Sequence, residues 1–366
     1  MKSKKKIFFC LPNFSSGGAE QVMINLFQEF NDHNNNLIVL NEDGPLRSRV
    51  TTKKKIISLK CNKGRFAIFP LVKIFNIEKP NIIISTMAYF NFIIMISLLM
   101  SNCKPERVVL REANTPESSI KSNFLGIFYF YFYKIFYNRA DIIICNSYQV
   151  LNELVSLGVN KKRITYIPNP LSINEIRKKA EENIMLPNFA NANLPFFIGI
   201  GRLVEQKGMD RVLNSFSKIK LPANLLILGD GPKKKYLEDQ IKKLKLKGRV
   251  ALLGYTDNPY PFLSSSIALL IGSRWEGFPN VALESFVLGV PVITTSDSGG
   301  LSEIKNKINK KYLAISNNEN EFVTAMEKIL KKTNKESNSD LYKSILPKEF
   351  YSKNVLKKFR KLILKS

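Results

Sequence analysis

The stretch that decides the fold and the site is S-R-W-E-G-F-P-N-V-A-L-E-S-F-V-L-G-V-P-V-I-T-T, residues 273–295. Pro279 lies between Glu276 and Glu284, and a proline disfavours one continuous helix through both carboxylates. The pattern instead predicts a loop carrying Glu276, a helix that starts near Asn280 and carries Glu284 one turn in, and a stop at the following G-V-P. Two carboxylates near free helix amides indicate a site for a sugar joined to a phosphate.

Length and composition favour a two-domain globular protein. The chain has 366 residues, of which 45% are hydrophobic, and this size suits two cores. None of the four cysteines forms a C-x-x-C pair, which argues against a zinc site or a disulfide framework and favours a reducing, cytoplasmic compartment. The first apolar run, residues 7–11, is too short for a signal peptide and is interpreted as a buried strand.

The formal net charge of +26 has two explanations. It could attract an anionic partner, either nucleic acid or the inner leaflet of a membrane. It could also reflect a composition rich in Lys, Asn and Ile, as AT-rich genomes produce. No helix-turn-helix, zinc-finger or RNP pattern is present, so no nucleic-acid partner is expected. An anionic inner-membrane surface is the expected partner, because basic runs lie beside aromatic ones.

Short apolar runs alternate with amphipathic stretches, which predicts α/β domains with parallel sheets and crossover helices. The domains are predicted at residues 1–171 and 172–345, with the break near Pro170. Residues 346–366 contain an apolar-striped helix, 353–364, that is expected to dock on a domain. The predicted strands are Ile7–Leu11, Leu37–Leu40, Ile56–Leu59, Ile82–Thr86, Val108–Arg111, Ile142–Asn146, Ile164–Ile167, Phe196–Ile200, Leu225–Leu228, Val250–Leu253, Ala268–Gly272 and Val292–Thr295.

Two segments resemble membrane elements. Ile82–Met100 is long and nearly uncharged, but its polar residues divide it into a strand and a helix. Phe124–Tyr137 is an unusually aromatic helix candidate. It is either a buried helix or an interfacial helix with Lys134 and Arg139 facing lipid phosphates, and both interpretations stay open.

Glycine-rich turns follow three predicted strands, where open α/β sheets bind ligands. Gly17-Gly18-Ala19-Glu20 opens a helix and lets a ligand approach backbone amides. In G-I-G-R-L-V-E-Q-K-G, residues 199–208, Arg202 and Lys207 are spaced to embrace a diphosphate. Two exposed surface cations are the alternative. G-D-G-P, residues 229–232, is interpreted as a structural turn at the rim of the site.

Four motifs follow one another along the chain: G-G-A-E, G-R-L-x-x-x-K-G, G-D-G-P and E-G-F-P-N-x-x-L-E. In this order they resemble the motifs of the retaining glycosyltransferases of family 4, and the resemblance covers nearly the whole chain. The resemblance implies a GT-B fold, in which two Rossmann-like domains face each other across a cleft and the terminal helix returns to the first domain. It also implies charge stabilisation of the leaving diphosphate without a metal or cofactor.

Carried over by motif, Arg202 and Lys207 would neutralise the donor diphosphate and Glu276 would hydrogen-bond the transferred sugar. These three form the implied catalytic set, and Glu284 would bind the ribose hydroxyls. The implied donor-binding set is completed by Gly17, Gly18, Gly201, Tyr255, Phe278, Pro279, Asn280 and Val281.

One departure from the family concerns a first-domain histidine near the reaction centre. The single histidine here, His33, follows the first helix, where a surface position is expected. The family position falls in L-R-E-A-N-T-P, residues 110–116, which resembles the S-E-R-N-x-P word of a subgroup acting on lipid-linked or polysaccharide precursors. Arg111, Glu112 and Asn114 are therefore candidates for the acceptor side. A strand end with a polar loop is the alternative.

The resulting expectation is retaining transfer of a hexose or N-acetylhexosamine from a UDP-sugar donor to a lipid-linked glycan acceptor. The protein would work as a peripheral protein at the cytoplasmic face of the inner membrane. A non-catalytic protein that binds nucleotide sugars or anionic lipids on a degenerate transferase scaffold is the alternative.

Overall fold

The protein folds as two compact units, each built around one parallel sheet. The computed structural model describes residues 4–15, 17–50, 55–121, 126–187, 189, 191–333 and 344–364. The first unit comprises residues 1–170 together with 353–366, and the second comprises residues 171–352. The expectation of two Rossmann-like domains with parallel sheets is confirmed.

The sheet of the first unit has seven parallel strands in the order β3-β2-β1-β4-β5-β6-β7. Its central strands contain continuous apolar runs, as in I-I-I at residues 82–84, because helices cover both faces of a parallel sheet. The strands are β1 (Lys6–Cys10), β2 (Asn34–Val39), β3 (Lys55–Ser58), β4 (Ile82–Thr86), β5 (Arg107–Glu112), β6 (Ile142–Cys145) and β7 (Ile164–Tyr166).

In the described part of the first unit, seven helices cover the two faces of this sheet. They are α1 (Gly18–Glu29), α2 (Ile68–Glu78), α3 (Ala88–Leu99), α4 (Pro116–Lys121), α5 (Gly126–Phe136), α6 (Tyr148–Ser156) and, at the end of the chain, α14 (Ser352–Leu364). Helices α1 and α14 pack on one face. Helices α2 to α6 form a layer on the other face, called here the α2–α6 layer. Residues 124 and 125 of the aromatic segment lie outside the described residues.

The long uncharged segment 82–100 divides into β4 and α3, as predicted. No helix in the described ranges is both long enough and apolar enough to cross a bilayer.

The terminal helix α14 buries Val355, Phe359 and Ile363 in the core beneath α1. The structure ends the second unit seven residues later than predicted from the sequence. Residues 346–352 belong with the second unit, because Leu346 and Phe350 lie in its core.

The second unit contains a six-stranded parallel sheet in the order β10-β9-β8-β11-β12-β13. Its strands are β8 (Phe196–Ile200), β9 (Asn224–Leu228), β10 (Val250–Gly254), β11 (Ala268–Ile271), β12 (Val292–Thr295) and β13 (Leu313–Ser316). Its helices are α7 (Ile173–Ala180), α8 (Met209–Ser217), α9 (Lys234–Lys243), α10 (Tyr260–Ser264), α11 (Asn280–Val287), α12 (Leu301–Ile304) and α13 (Glu319–Thr333). Strand β13 was missed from the sequence, although the apolar run L-A-I before Asn317 is a strand signal.

Candidate functional site

The candidate site lies in the second unit, at the carboxyl edge of its sheet. The loop after β8, residues 201–208, and the loop after β11, residues 272–279, start from neighbouring strands. The helices that follow, α8 and α11, pack in the cores on opposite faces of the sheet. The chain order therefore reverses between β8 and β11, and open α/β sheets bind ligands outside such a point.

Two of the residues implied as catalytic meet here. The Lys207 ammonium forms an ion pair with Glu276 Oε1. The Ser273 hydroxyl donates to the same oxygen at 2.9 Å. Glu276 is only 5% exposed, so its charge is balanced by a lysine and a hydroxyl instead of bulk water. The sequence predicted both charged residues but not Ser273.

Arg202 differs from Lys207 in having a free head group. Its side chain is exposed, and among the described residues it forms no ion pair or side-chain hydrogen bond. The other predicted cation, Lys207, runs along Gly201, where a Cβ would lie 3.5 Å from Lys207 Cδ. The loop after β8 thus carries one cation paired with Glu276 and one available to an anion.

A second ion pair joins the loop after β11 to the first turn of α8. The Arg274 guanidinium donates to both carboxylate oxygens of Asp210, at 2.9 and 2.6 Å. The Arg274 amide also donates to the Gln206 carbonyl at 2.8 Å, and the Gln206 side chain donates to the Trp275 carbonyl at 3.1 Å. Sequence reasoning missed this clamp, because its partners are far apart in the chain and no local pattern links them.

The pKa values of the clamp residues reflect their pairing. The hydrogen bond to Asp210 raises the pKa of Arg274. Burial alone would raise the pKa of Asp210, but the hydrogen bond and charge of Arg274 hold it below its ordinary value. Both side chains are therefore charged at neutral pH.

Glycines allow the backbones of the site to touch. Gly208 has φ 58°, and a Cβ there would lie 1.9 Å from the Gly272 carbonyl oxygen. Gly299, with φ 64°, lies against the Glu276 carbonyl oxygen, which a Cβ would approach to 2.1 Å. The Gly300 amide donates to the Gly277 carbonyl at 2.9 Å. The Gly299-Gly300 dipeptide after β12 is a turn signal that could have identified this support.

Helix α11 begins at Asn280 directly after Pro279, and Glu284 lies about one turn in, as predicted. Glu284 is buried and accepts a hydrogen bond from the Tyr260 hydroxyl at 3.4 Å. The Phe278 side chain is buried in the core. Only its backbone groups are therefore available for the predicted contact with the donor.

The other predicted donor residues of this unit occupy different environments. Asn280 and Val281 lie at the start of α11 and are half-buried. Tyr255 is exposed, and its hydroxyl donates to Asp257 at 3.0 Å. The G-D-G-P turn supports the loop after β8, since the Leu203 amide donates to the Asp230 carbonyl at 2.8 Å.

In the first unit, Gly17 and Gly18 lie where predicted, at the start of α1 after β1. Gly17 has an extended backbone, and Glu20 in the first turn is buried and accepts from the Ser15 hydroxyl at 2.5 Å.

Arg111 and Glu112, predicted for the acceptor side, are buried inside the first unit. Arg111 donates to Thr86 Oγ1 at 3.2 Å and to Asn169 Oδ1 at 2.6 Å. The Tyr137 hydroxyl donates to Glu112 Oε2 at 2.5 Å. The protein therefore supplies partners for both side chains, and contact with an acceptor stays a prediction.

Burial shifts both pKa values in this pair. It raises the pKa of Glu112 to about 7, against the hydrogen bonds from Tyr137 and the Asn114 amide. It lowers the pKa of Arg111 to about 10, against the charge of Glu112. Asn114, the third acceptor-side candidate, is half-buried.

His33 lies at the amino ends of the strands of the first sheet, whereas Arg111 and Glu112 lie at the carboxyl end of β5. It directly precedes β2, and its Nδ1 accepts from the Lys5 amide at 3.3 Å, just before β1. It is half-buried instead of fully solvated. Across the described part of the chain, no group of three His, Cys, Asp or Glu side chains is arranged to hold a metal ion.

Two family models match successive parts of the chain. Glycosyltransferase Family 4 matches residues 16–175 and Glycosyl transferases group 1 matches residues 181–344. The chain therefore belongs to the glycosyltransferases, with a family 4 domain followed by a group 1 domain and the GT-B architecture.

Curated relatives match this family, and a solved structure shares the fold. An uncharacterized glycosyltransferase of Methanocaldococcus jannaschii is 32% identical over 253 residues, which span 64% of this chain and 60% of that protein's length. The N-acetylgalactosamine-N,N'-diacetylbacillosaminyl-diphospho-undecaprenol 4-alpha-N-acetylgalactosaminyltransferase of Campylobacter jejuni is 27% identical, with 89% and 90% covered. The crystal structure of Anabaena HepE in complex with UDP and glucose superposes with a TM-score of 0.79 at 15% identity, covering 100% of both chains.

Proposed function

We propose that this protein transfers a hexose or N-acetylhexosamine from a UDP-sugar to a lipid-linked or polysaccharide-precursor glycan, with retention of anomeric configuration. The observation that carries the proposal is the Lys207–Glu276 pair at the reversal of strand order, beside the free guanidinium of Arg202. The printed name of the Campylobacter relative, a transferase acting on a diphospho-undecaprenol glycan, supports the acceptor class. The UDP in the HepE complex supports the donor class.

The proposed chemistry follows from the charges of the site. As the anomeric bond lengthens, negative charge grows on the leaving diphosphate, and Arg202 and Lys207 stabilise it. Glu276 holds a sugar hydroxyl, and Glu284 accepts from the ribose. The two cations take the part that a metal plays in other transferases, so we propose that turnover needs neither a metal nor a cofactor.

The acceptor hydroxyl would attack the same face of the sugar that the phosphate leaves, and the departing phosphate oxygen would take the hydroxyl proton. This step retains configuration and needs no protein nucleophile. A lipid-linked acceptor further implies work as a peripheral protein on the cytoplasmic face of the inner membrane.

The test incubates the purified full chain with a panel of UDP-sugars and membrane-extracted lipid-linked acceptors, in the presence of EDTA. UDP release and a glycan heavier by one sugar are expected. Glu276→Ala and Arg202→Ala should each lower turnover about 100-fold or more, whereas Glu238→Ala, at an exposed acid on α9, should not.

Turnover near the wild-type rate in the first two variants would show that the site is wrong. Binding of UDP without any transfer across the panel would favour the non-catalytic binding protein. Turnover that EDTA abolishes and added Mg²⁺ restores would contradict metal independence.

A further inference from the structure

The exposed apolar side chains of the first unit are concentrated on one side. Among its described residues, every large apolar side chain that is exposed belongs to the α2–α6 layer or to the short turns that adjoin its helices. The face covered by α1 and α14 has none among the described residues. Exposed apolar side chains gathered on one face are typical of an interaction site.

Helix α2 shows the pattern most clearly. Phe66, in the turn before the helix, is exposed, and so are Phe69, Lys73 and Ile77. Phe69 is 73% and Ile77 68% exposed. Their spacing of three and four residues places them on one stripe, opposite the buried Leu71 and its core neighbours. Helix propensity does not explain why large apolar side chains occupy the solvent-facing stripe of α2.

Helices α3 and α5 extend the surface. Leu99 and Met100 are exposed at the end of α3, which packs against α2 and α5. Phe128, Tyr131 and Ile135 are exposed along α5 at helical spacing, while other aromatic rings of the same helix fill the core. One face of the aromatic helix is thus buried and the other is exposed, and the interfacial interpretation stays a prediction.

The charges on α2, α3 and α5 are almost all positive, whereas α4 and α6 also carry Glu117 and Glu153. Between residues 61 and 104 the only acidic residue is Glu78, which pairs with Lys6 at 3.1 Å. Within the described residues, Lys73 on the α2 stripe and Lys134 on α5 form no ion pair. Lysines here can extend their head groups toward phosphates while their stems cover apolar surface. The basic side chains of these segments are Lys63, Arg65, Lys73, Lys79, Lys104, Lys134 and Arg139.

We propose that the outer face of the α2–α6 layer docks on an anionic lipid bilayer, with the α2 stripe and the exposed rings of α5 at headgroup depth. Apolar rings interspersed with unpaired cations are the composition of interfacial helices. A second copy of the chain is disfavoured as the occupant, because it would bring the same net charge of +26. The inference rests on the proposed function, since a lipid-linked acceptor lies at a bilayer surface.

The test is sedimentation of the full chain with phosphatidylcholine vesicles that contain or lack phosphatidylglycerol. Binding is expected only with phosphatidylglycerol. The double variant Phe69→Ser/Ile77→Ser should weaken vesicle binding about tenfold or more. The reason is that two large apolar side chains are no longer transferred from water to the bilayer. Lys73→Gln/Lys134→Gln should also weaken vesicle binding. The matched control is Met185→Ser, because Met185 is 92% exposed but lies in the second unit.

Equal vesicle binding by the wild type and Phe69→Ser/Ile77→Ser would contradict the proposed docking surface. A wild-type dimer that this variant abolishes would also contradict it. Transfer to a water-soluble acceptor analogue is measured in parallel, and the variant should retain it because no substituted residue lies in the site. Retained transfer without vesicle binding by the wild type overturns the surface alone. Vesicle binding without any transfer overturns the proposed function alone.

Discussion

Arg274 and Asp210 fasten the loop after β11 to the first turn of α8 through two parallel hydrogen bonds, at 2.9 and 2.6 Å. Each side chain is less than one quarter exposed. Neither residue belongs to the set implied by the family motifs, yet Arg274 lies two positions before Glu276. The position of the buried carboxylate therefore depends on a contact outside the motif.

The clamp should be energetically coupled. A double-mutant cycle of Asp210→Ala and Arg274→Ala should give a coupling energy of about 1–2 kcal/mol in urea unfolding. The control cycle uses Lys242 and Asp239, an exposed pair at 3.5 Å, for which the coupling should be close to zero. Asp210→Ala should also lower kcat about tenfold, because Glu276 loses its fixed position. Additive single variants with unchanged kcat would contradict a positioning role.

Substitutions at the Lys207–Glu276 pair should change the free energy of unfolding and the turnover in different ways. Lys207→Met should leave a buried carboxylate without its cation and lower the free energy of unfolding by about 3 kcal/mol. Adding Glu276→Gln should recover much of that loss by removing the uncompensated charge. Turnover should stay low in both variants, because the diphosphate lacks one cation. Recovery of turnover in the double variant would argue against a catalytic part for either residue.

Gly208 should tolerate no side chain. Gly208→Ala would place a methyl group 1.9 Å from the Gly272 carbonyl oxygen, so both loops must shift. We expect a loss of about 3 kcal/mol or more in the free energy of unfolding. Gly254→Ala is the matched control. Gly254 also has a positive φ, 79°, but nothing lies within 4 Å of its Cβ position, so only backbone strain of about 1 kcal/mol is expected. Similar losses at both positions would show that strain alone, and not the close approach, requires glycine.

Glu112 should make stability fall as pH rises. Its pKa is raised from 4.5 to about 7 in the folded protein, so between these values the folded state holds a proton that the unfolded state has released. Stability then decreases with pH through this window and levels off above it. The loss amounts to about 3 kcal/mol, and Glu112→Gln should abolish it.

The measurement for Glu112 is urea unfolding of both proteins between pH 4.5 and 7.5, with Glu238→Gln as an exposed control. Parallel curves for the wild type and Glu112→Gln would contradict the raised pKa.

Apolar periodicity and turn chemistry were sufficient to place twelve of the thirteen strands found in the described residues, because a buried parallel strand is a short continuous apolar run between turn signals. They also placed Glu276 in a loop and Glu284 in α11, since Pro279 excludes one helix through both. Strand β13 was missed because it is a short edge strand with half-buried central residues, so its pattern is weak.

By itself, the sequence determined the parallel α/β architecture, the loops that carry Arg202, Lys207 and Glu276, and the resemblance to family 4. These depend on local spacing, which the chain shows directly. Only the tertiary structure decided that Lys207 pairs with Glu276 and that Arg274 reaches Asp210. It also decided that Glu112 is buried beside Tyr137 and which face of α2 is exposed. Such contacts join residues far apart in the chain, and their partners are chosen by packing and by the cost of burying an unpaired charge.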